Sequence, residues 1–307
     1  MNIRSVDLNL LVALDALLTE LHVTRAAEKV GLSQPAMSNA LSRLRHVFKD
    51  ELLVRTPQGM QATPRARELV EPVRQVLRSI ERVLEGDTRF DPALSDRRFA
   101  IRLSDLLGRL LLPALVADLA ESAPAIRFDV VHLSPHRTTD ALERDEIDIA
   151  VSMGLEHAAS IQSEPLMRDR MVCVMRREHP AALVELTPDA FLAAKHLKVS
   201  MSPTDLRFAD DVLSRLGKTR NVVLNLPHWM LVPHVLERSN LISVMPRLFA
   251  LAITGGVLTM RDLPLPSDPF DWTIYWHRRN EGNDAIRWLK QRLRVVAPAP
   301  SAHSADQ

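Results

Sequence analysis

The stretch VTRAAEKVGLSQPAMSNALSRL, Val23 to Leu44, decides how this chain is read. It has the pattern of two short helices joined by a tight turn. Thr24 is placed to cap the first helix, and Ala26, Ala27 and Val30 give it a small apolar face. Gly31 permits the reversal, because a residue without Cβ tolerates the left-handed backbone that ends a helix. Ser33 is a cap for the second helix, and Pro35 falls in its first turn, where a missing N–H costs nothing. Ala40, Leu41, Leu44 and Phe48 recur at helical spacing and should face inward. Gln34, Ser38, Ser42 and Arg45 run along the opposite side. Amides and hydroxyls on an exposed helix face, flanked by cations, suit the base edges and phosphates of a DNA major groove.

The charge distribution supports a nucleic-acid partner over a plain solvated helix pair. Between Val23 and Arg67 the cations are Arg25, Lys29, Arg43, Arg45, Lys49, Arg55, Arg65 and Arg67, against Glu28, Asp50 and Glu51. The formal net charge of all 307 residues is only +1. Positive charge is therefore concentrated where phosphate binding needs it. Upstream, Asp7 precedes LNLLVALDALL, with Leu8, Leu11, Leu14 and Leu18 on one expected face. That is a start signal and a third helix for the other two to pack on. Downstream, ELLVRTPQGMQATP reads as two short extended pieces around Pro57-Gln58-Gly59, a hairpin that would bring Arg55 to DNA as a wing.

The signature TRAAEKVGLSQPAMSNALSRLR, followed by LLVRT and ATP, closely resembles the winged helix-turn-helix of LysR-type transcriptional regulators. The resemblance is dense over about the first 65 residues. Arg45 stands where many members carry Glu, Leu53 where Phe is usual, and Ala66 where Gly is usual. The first departure, with DLNLLVALDALL and NALSRLR, points to the branch of nodulation and aromatic-catabolism regulators. The expected DNA-facing residues are Ser33, Gln34, Pro35, Ser38 and Asn39, with Ser42 and Arg43 close behind, and Thr24, Arg25 and Arg55 on phosphate or in the adjacent minor groove.

After Thr63-Pro64 a long helix is expected. Leu69, Val73, Val76, Ile80 and Val83 form a heptad seam that asks for a partner helix. Pro72 within it should bend the helix without breaking it. From about Arg97, short apolar runs alternate with helical segments, FAIRL, LLGRLLLPALVADLA, IRFDVVHL, TTDALERDE and IDIAVSM, and a second set follows from MVCVMRR. Such alternation means crossover units and parallel sheets. WTIYWHR and the amphipathic DAIRWLKQRLRVV close the pattern by returning to the first lobe. Pieces such as EIDIAVSMG are similar to the family's effector-binding domain, which implies a periplasmic-binding-protein architecture. The fold class is thus α+β overall: a winged helix-turn-helix at 1–63, a linker and dimerisation helix at 64–90, and a two-lobed α/β effector domain at 96–297. Lobe I takes about 96–165 and 268–297, lobe II about 166–267, and 298–307 is expected to be a disordered tail.

Open α/β sheets bind ligands outside the carboxyl ends of parallel strands. Ser104 and Asp105 follow the first such strand, and Ser134, Met153, His228 and Pro246 lie at others. By the family's pattern the opposing lobe contributes Ser202, Pro203 and Thr204. A small organic acid or aromatic compound is the expected effector, although Asp105 would repel an anion unless it points away. The resemblance implies a double-stranded DNA operator as partner and a homotetramer, a dimer of dimers; RNA polymerase is a further partner it allows.

Other classes find little support. His132 and His136 have metal-ligand spacing, but Ser134-Pro135 between them breaks the helix that would align them. His277 has no catalytic partner in sight, and there is no nucleophile elbow or glycine-rich phosphate loop. No enzyme activity, cofactor or metal is expected. Cys173, the single cysteine, sits in an apolar run and reads as an inert core thiol. The N-terminus lacks a signal-peptide pattern and no run of 18 apolar residues occurs, so a cytoplasmic protein without membrane contact is expected. A constitutive, architectural DNA-binding protein is the alternative, but it has no use for a two-lobed domain of about 200 residues.

Overall fold

A computed structural model describes residues 7–57, 59–85, 90–201 and 209–298. The chain divides into two compact units, Met1–Arg89 and Phe90–Gln307. The first is built from α1 (Asn9–Glu20), α2 (Val23–Lys29), α3 (Gln34–Phe48), the hairpin β1 (Leu53–Thr56) and β2 (Gly59–Ala62), and α4 (Pro64–Glu85). Its core is mostly helical, with Leu14, Leu17, Met37, Leu44, Leu52 and Leu53 almost wholly enclosed. Burying each such side chain contributes roughly 1.5–3 kcal/mol, which fixes the three helices against one another.

Three local expectations are corrected. On α1 the enclosed face is Leu10, Ala13, Leu14 and Leu17, while Leu8 is exposed and Leu11 and Leu18 only half-buried. The cap of α2 is His22, whose ring nitrogen accepts the Arg25 amide at 3.4 Å; Thr24 already lies inside the helix. On α4 the heptad seam is split. Leu69 and Val73 are buried in the unit's own core, with Ala66 beside them and Leu77 packed against it, whereas Val76 is exposed. The helix thus carries two apolar rows: the first packs inward, and in the second Val76 is exposed and Ile80 half-buried. Arg74 strengthens the inward attachment through Asp15 at 2.8 Å and Thr19 at 3.1 Å. The helix runs unbroken through Pro72.

The second unit holds two five-stranded sheets. The first has the order β4 (Arg127–Val131), β3 (Arg98–Arg102), β5 (Ile149–Ser152), β12 (Phe270–His277), β6 (Ile161–Asp169). The second has the order β11 (Leu258–Asp262), β7 (Met171–Arg176), β10 (Leu241–Pro246), β8 (Lys195–Val199), β9 (Asn221–Leu226). β3 is parallel to β4 and β5, and β8 is parallel to β9 and β10. The sheets are mixed, which corrects the parallel expectation: β12 pairs antiparallel with β5 and β6, and β7 with β10 and β11. The chain crosses from one sheet to the other directly, β6 into β7, and returns as β12, so no helical crossover sets a parallel sense there. Helices α5 (Asp105–Ser122), α6 (Pro135–Glu143) and α11 (Asp284–Val296) belong to the first sheet's layers. The second sheet carries α7 (Pro188–Ala193), α8 (Ala209–Arg215), α9 (Val232–Leu236) and α10 (Arg247–Ile253).

Cys173 is buried in β7, and burial pushes its thiol up to about 12, so it is an unreactive core group. His196 in β8 is fully enclosed; its Nε2–H donates to the Phe191 carbonyl at 2.8 Å. Burial, reinforced by nearby Arg220, holds its pKa at about 4 against an ordinary 6.5. The folded state therefore binds fewer protons than the unfolded chain between those values. Stability is full above about pH 6.5 and falls as pH drops toward 4, by an amount on the order of 3 kcal/mol at the limit. Urea titrations at stepped pH should show this acid limb, and His196→Gln should flatten it. An unchanged limb in the variant would assign the acid sensitivity to other groups. No helix among the described residues is long and apolar enough to cross a membrane, and no group of three described His, Cys, Asp or Glu residues is placed to hold a metal ion.

Candidate nucleic-acid interface and ligand cleft

Gly31 at φ +70° ends the first helix of the pair. The Ser33 hydroxyl then caps α3 by accepting the Ala36 amide at 3.3 Å, with Pro35 in the first turn. This local chemistry sets where α3 begins and therefore which residues it presents. Met37, Ala40, Leu41 and Leu44 are buried, and Gln34, Pro35, Ser38, Asn39, Ser42 and Arg43 are exposed. Gln34 and Ser38 share a face, joined Nε2 to Oγ at 3.0 Å. Thr24 is exposed on α2, and Arg25 beside it donates to the Glu20 carbonyl at 3.1 Å. Arg43 lies 3.4 Å from the Asp7 carboxylate, with both side chains largely in solvent, so this pair is weak enough to yield to a phosphate.

Arg45 departs from the polar row in which its spacing put it. Its Nε donates to the Glu51 carbonyl at 2.8 Å and its Nη2 to the Leu53 carbonyl at 2.9 Å, and the Glu51 carboxylate lies 3.2 Å away. After α3 the chain reverses through left-handed Lys49 (φ 52°) and Leu52 (φ 60°), which brings these carbonyls under the last turn. Arg45 is thus a brace for the hairpin, its guanidinium tied to backbone carbonyls and only partly exposed. The hairpin pairs Arg55 with Met60 and leaves Arg55 exposed on β1.

The second unit contains a cleft with roughly 610 Å³ of free space, open mouth included. Its walls are the carboxyl ends of the parallel strands. β3 gives Arg102 and then Ser104; β4 leads into His132, Leu133, Ser134 and Pro135; β5 ends in Ser152 and Met153. β8 gives Val199, Ser200 and Met201, β9 leads to Pro227 and Trp229, and Trp272 comes from β12. Arg102 is buried and laces the floor together: its Nη2 and Nε donate to the Leu133 carbonyl at 2.7 and 3.1 Å, and its Nη1 to the Val151 carbonyl at 3.0 Å. Ser104 and Ser134 cap α5 and α6, accepting the Leu107 and Arg137 amides at 3.3 and 3.4 Å. Both helix starts therefore open on the cleft, and their amide ends favour a negative group. Burial, with the Arg102 charge second, lowers the pKa of His132, so its ring is neutral at pH 7.

Of the residues singled out from sequence, Ser104, Ser134 and Met153 line this cleft. Asp105 does not: its Oδ2 accepts the Met230 amide at 3.1 Å, so the carboxylate serves the turn at 229–231. His228 sits just outside the lining, its ring 6.3 Å from that of His132. Pro246 is buried at the end of β10 and precedes α10. Ser202, Pro203 and Thr204 lie outside the described residues. His136 is within α6, apart from His132, and His277 donates to Glu143 at 3.2 Å, a tie between β12 and α6. Sequence reading missed Arg102, His132 as a wall residue, Ser152, Ser200, Trp229 and Trp272. A lone arginine within the apolar run FAIRL was the available signal for Arg102, since a buried cation needs a reason.

Residues 8–67 match the family model described as bacterial regulatory helix-turn-helix protein, lysR family, and residues 93–297 match the LysR substrate binding domain. The chain is 33% identical to the HTH-type transcriptional activator NahR of Pseudomonas putida, covering 95% of this chain and 98% of that one. It is 33% identical to nodulation protein D 1 of Rhizobium tropici over the whole of both chains. A solved structure of a probable transcriptional regulator from Pseudomonas aeruginosa superposes with a TM-score of 0.80 at 32% identity, over 95% of this chain and 99% of the other.

Proposed function

The chain belongs to the LysR family of transcriptional regulators, sequence-specific DNA-binding proteins with an effector-binding domain, and from that premise we propose how its residues divide the work. Gln34, Pro35, Ser38 and Asn39 meet base edges in the major groove, and Ser42 and Arg43 follow along the same helix. Gln34 is suited to a bidentate pair with adenine, and Pro35 to the thymine methyl. Thr24, Arg25 and Arg55 hold the backbone or the adjacent minor groove. The observation that carries this reading is the unbroken exposed polar row on α3, set by the Ser33 cap.

The effector is a small organic acid with an aromatic or other flat apolar body. The carrying observation is that Arg102 and two indoles, Trp229 and Trp272, face one cleft. Indoles and Met153 suit the flat body, and Arg102, the serines and two helix starts suit the acid. Asp105 is not among the lining residues and one of its oxygens accepts the Met230 amide, which lessens its opposition to an anion. A thermal-shift screen of organic acids on the full chain tests this, because a ligand of the folded state raises its stability. The screen should return aromatic carboxylates ahead of amines and sugars; hits confined to cationic compounds would contradict the reading.

The assembly is a homotetramer in which exposed Val76 and half-buried Ile80 of α4 meet a second copy. Burying one such side chain contributes about 1.5–3 kcal/mol, and a carboxylate in its place is repelled by its mate. Val76→Asp with Ile80→Asp should give a smaller particle in light scattering with an unchanged circular dichroism spectrum. An unchanged particle size would remove this helix from the interface.

A further inference from the structure

Asp169 lies where the chain leaves the first sheet for the second, at the last residue of β6 and two residues before β7. It is only 6% exposed. Its Oδ2 accepts the indole N–H of Trp272, in the first sheet, at 3.1 Å. Its Oδ1 accepts the Leu248 amide, in the first turn of α10 behind the second sheet, at 3.2 Å, and the Arg170 amide at 2.8 Å. A buried carboxylate is tolerated only when donors surround it, and here they come from both sheets' elements.

Trp272 is also a wall of the cleft. The pairing of its strand with β6 is irregular at that point: Trp272 pairs with Met167, but Thr273 pairs with Pro165, so Leu166 of β6 is the extra residue. Such a bulge re-aims the side chains around it. The indole therefore reaches along the sheet to Asp169, which sits opposite Phe270, while its ring faces the cleft. One carboxylate thus holds a cleft wall and the start of a helix from the other lobe.

We propose that Asp169 is a positioning residue that couples the cleft wall to the junction between the two sheets. A ligand that displaces Trp272 pulls on the shared carboxylate and so on the Leu248 end of α10. This rests on the cleft being the effector site, and it assigns the step by which occupancy is felt at the crossover. Asp169→Asn keeps the shape but gives the site a donor where an acceptor stood, so the amide cannot serve the indole and both backbone amides in the same way.

The full chain labelled with 5-fluorotryptophan tests the coupling. The Trp272 resonance is identified by its loss in Trp272→Phe, and hydrogen exchange is followed at Leu248. In Asp169→Asn the Trp272 resonance should move, and Leu248 should exchange about tenfold faster or more, as expected from losing a hydrogen bond to a charged acceptor. In Trp272→Phe, with the carboxylate intact, Leu248 exchange should also accelerate; a purely local amide cap would not respond. Wild-type exchange at Leu248 in Trp272→Phe, or an unmoved Trp272 resonance in Asp169→Asn, overturns the proposal. Benzoate serves as the ligand probe. If it moves Trp272 it should also change Leu248 exchange in wild type and not in Asp169→Asn, and a moved Trp272 with unaltered Leu248 overturns the coupling. If benzoate leaves Trp272 unmoved, that result bears on the effector assignment, and the two variants decide the coupling by themselves.

Discussion

Arg102→Met is expected to abolish stabilisation by any acidic effector and to lower the melting temperature of the second unit by about 10 °C. The size follows from the partners. Methionine fills much of the volume but leaves the Leu133 and Val151 carbonyls without the guanidinium donors that lie 2.7–3.1 Å from them. Each unpaired buried polar group costs about 1–3 kcal/mol. A loss of about 3 kcal/mol in a domain of this size shifts melting by several degrees per kcal/mol. Differential scanning calorimetry with and without a screened acid measures both effects. A variant that melts lower yet keeps the full ligand-induced shift would show that Arg102 is structural and that the acid binds elsewhere.

Gln34→Ala is expected to weaken operator binding by about tenfold to a hundredfold, equivalent to roughly 1–3 kcal/mol, with the loss confined to one base position in each half-site. The side chain is exposed at the first turn of α3 and supports nothing in the core, so folding should be unaffected. Arg55→Ala makes the contrast. Its loss should be spread over all sequences and should reduce the salt dependence of binding by about one counterion. Binding of operator variants by fluorescence anisotropy at several salt concentrations separates the two. Equal behaviour of Gln34→Ala and wild type on operator and random duplex would remove α3 from the groove.

The helix pair was legible because its signals are local and redundant. Gly31, Ser33 and Pro35 each demand one backbone conformation, and the apolar spacing of α3 agrees with all three. Where two residues compete for one role, local signals decide less: His22 caps α2 although Thr24 is the more usual capping type. On α4 the sequence holds two apolar rows, and only packing shows that Leu69 and Val73 belong to the core while Val76 does not. Strand positions in the second unit could be read from apolar runs, but strand sense could not. β12 returns antiparallel between β5 and β6, a pairing between residues more than a hundred positions apart.

The cleft was partly legible for the same reason. Ser104 and Ser134 are caps, and caps leave a sequence trace at strand ends. Trp272 and Arg102 reach the cleft through a bulge and through a strand's inward face, which depend on register. Arg45 looked like a DNA-facing residue because its helical phase is right; its guanidinium is drawn away by the Glu51 and Leu53 carbonyls that the left-handed turn brings within reach.

A ligand in this cleft should change how the same chain sits on DNA. Nuclease footprinting on a duplex selected by the full chain, with and without an acid identified by thermal shift, tests it most directly. The acid should alter the protected region or its pattern of enhanced cleavage, and Arg102→Met should give the ligand-free footprint in both conditions. An identical footprint at a concentration where the thermal shift shows the cleft is saturated would contradict it.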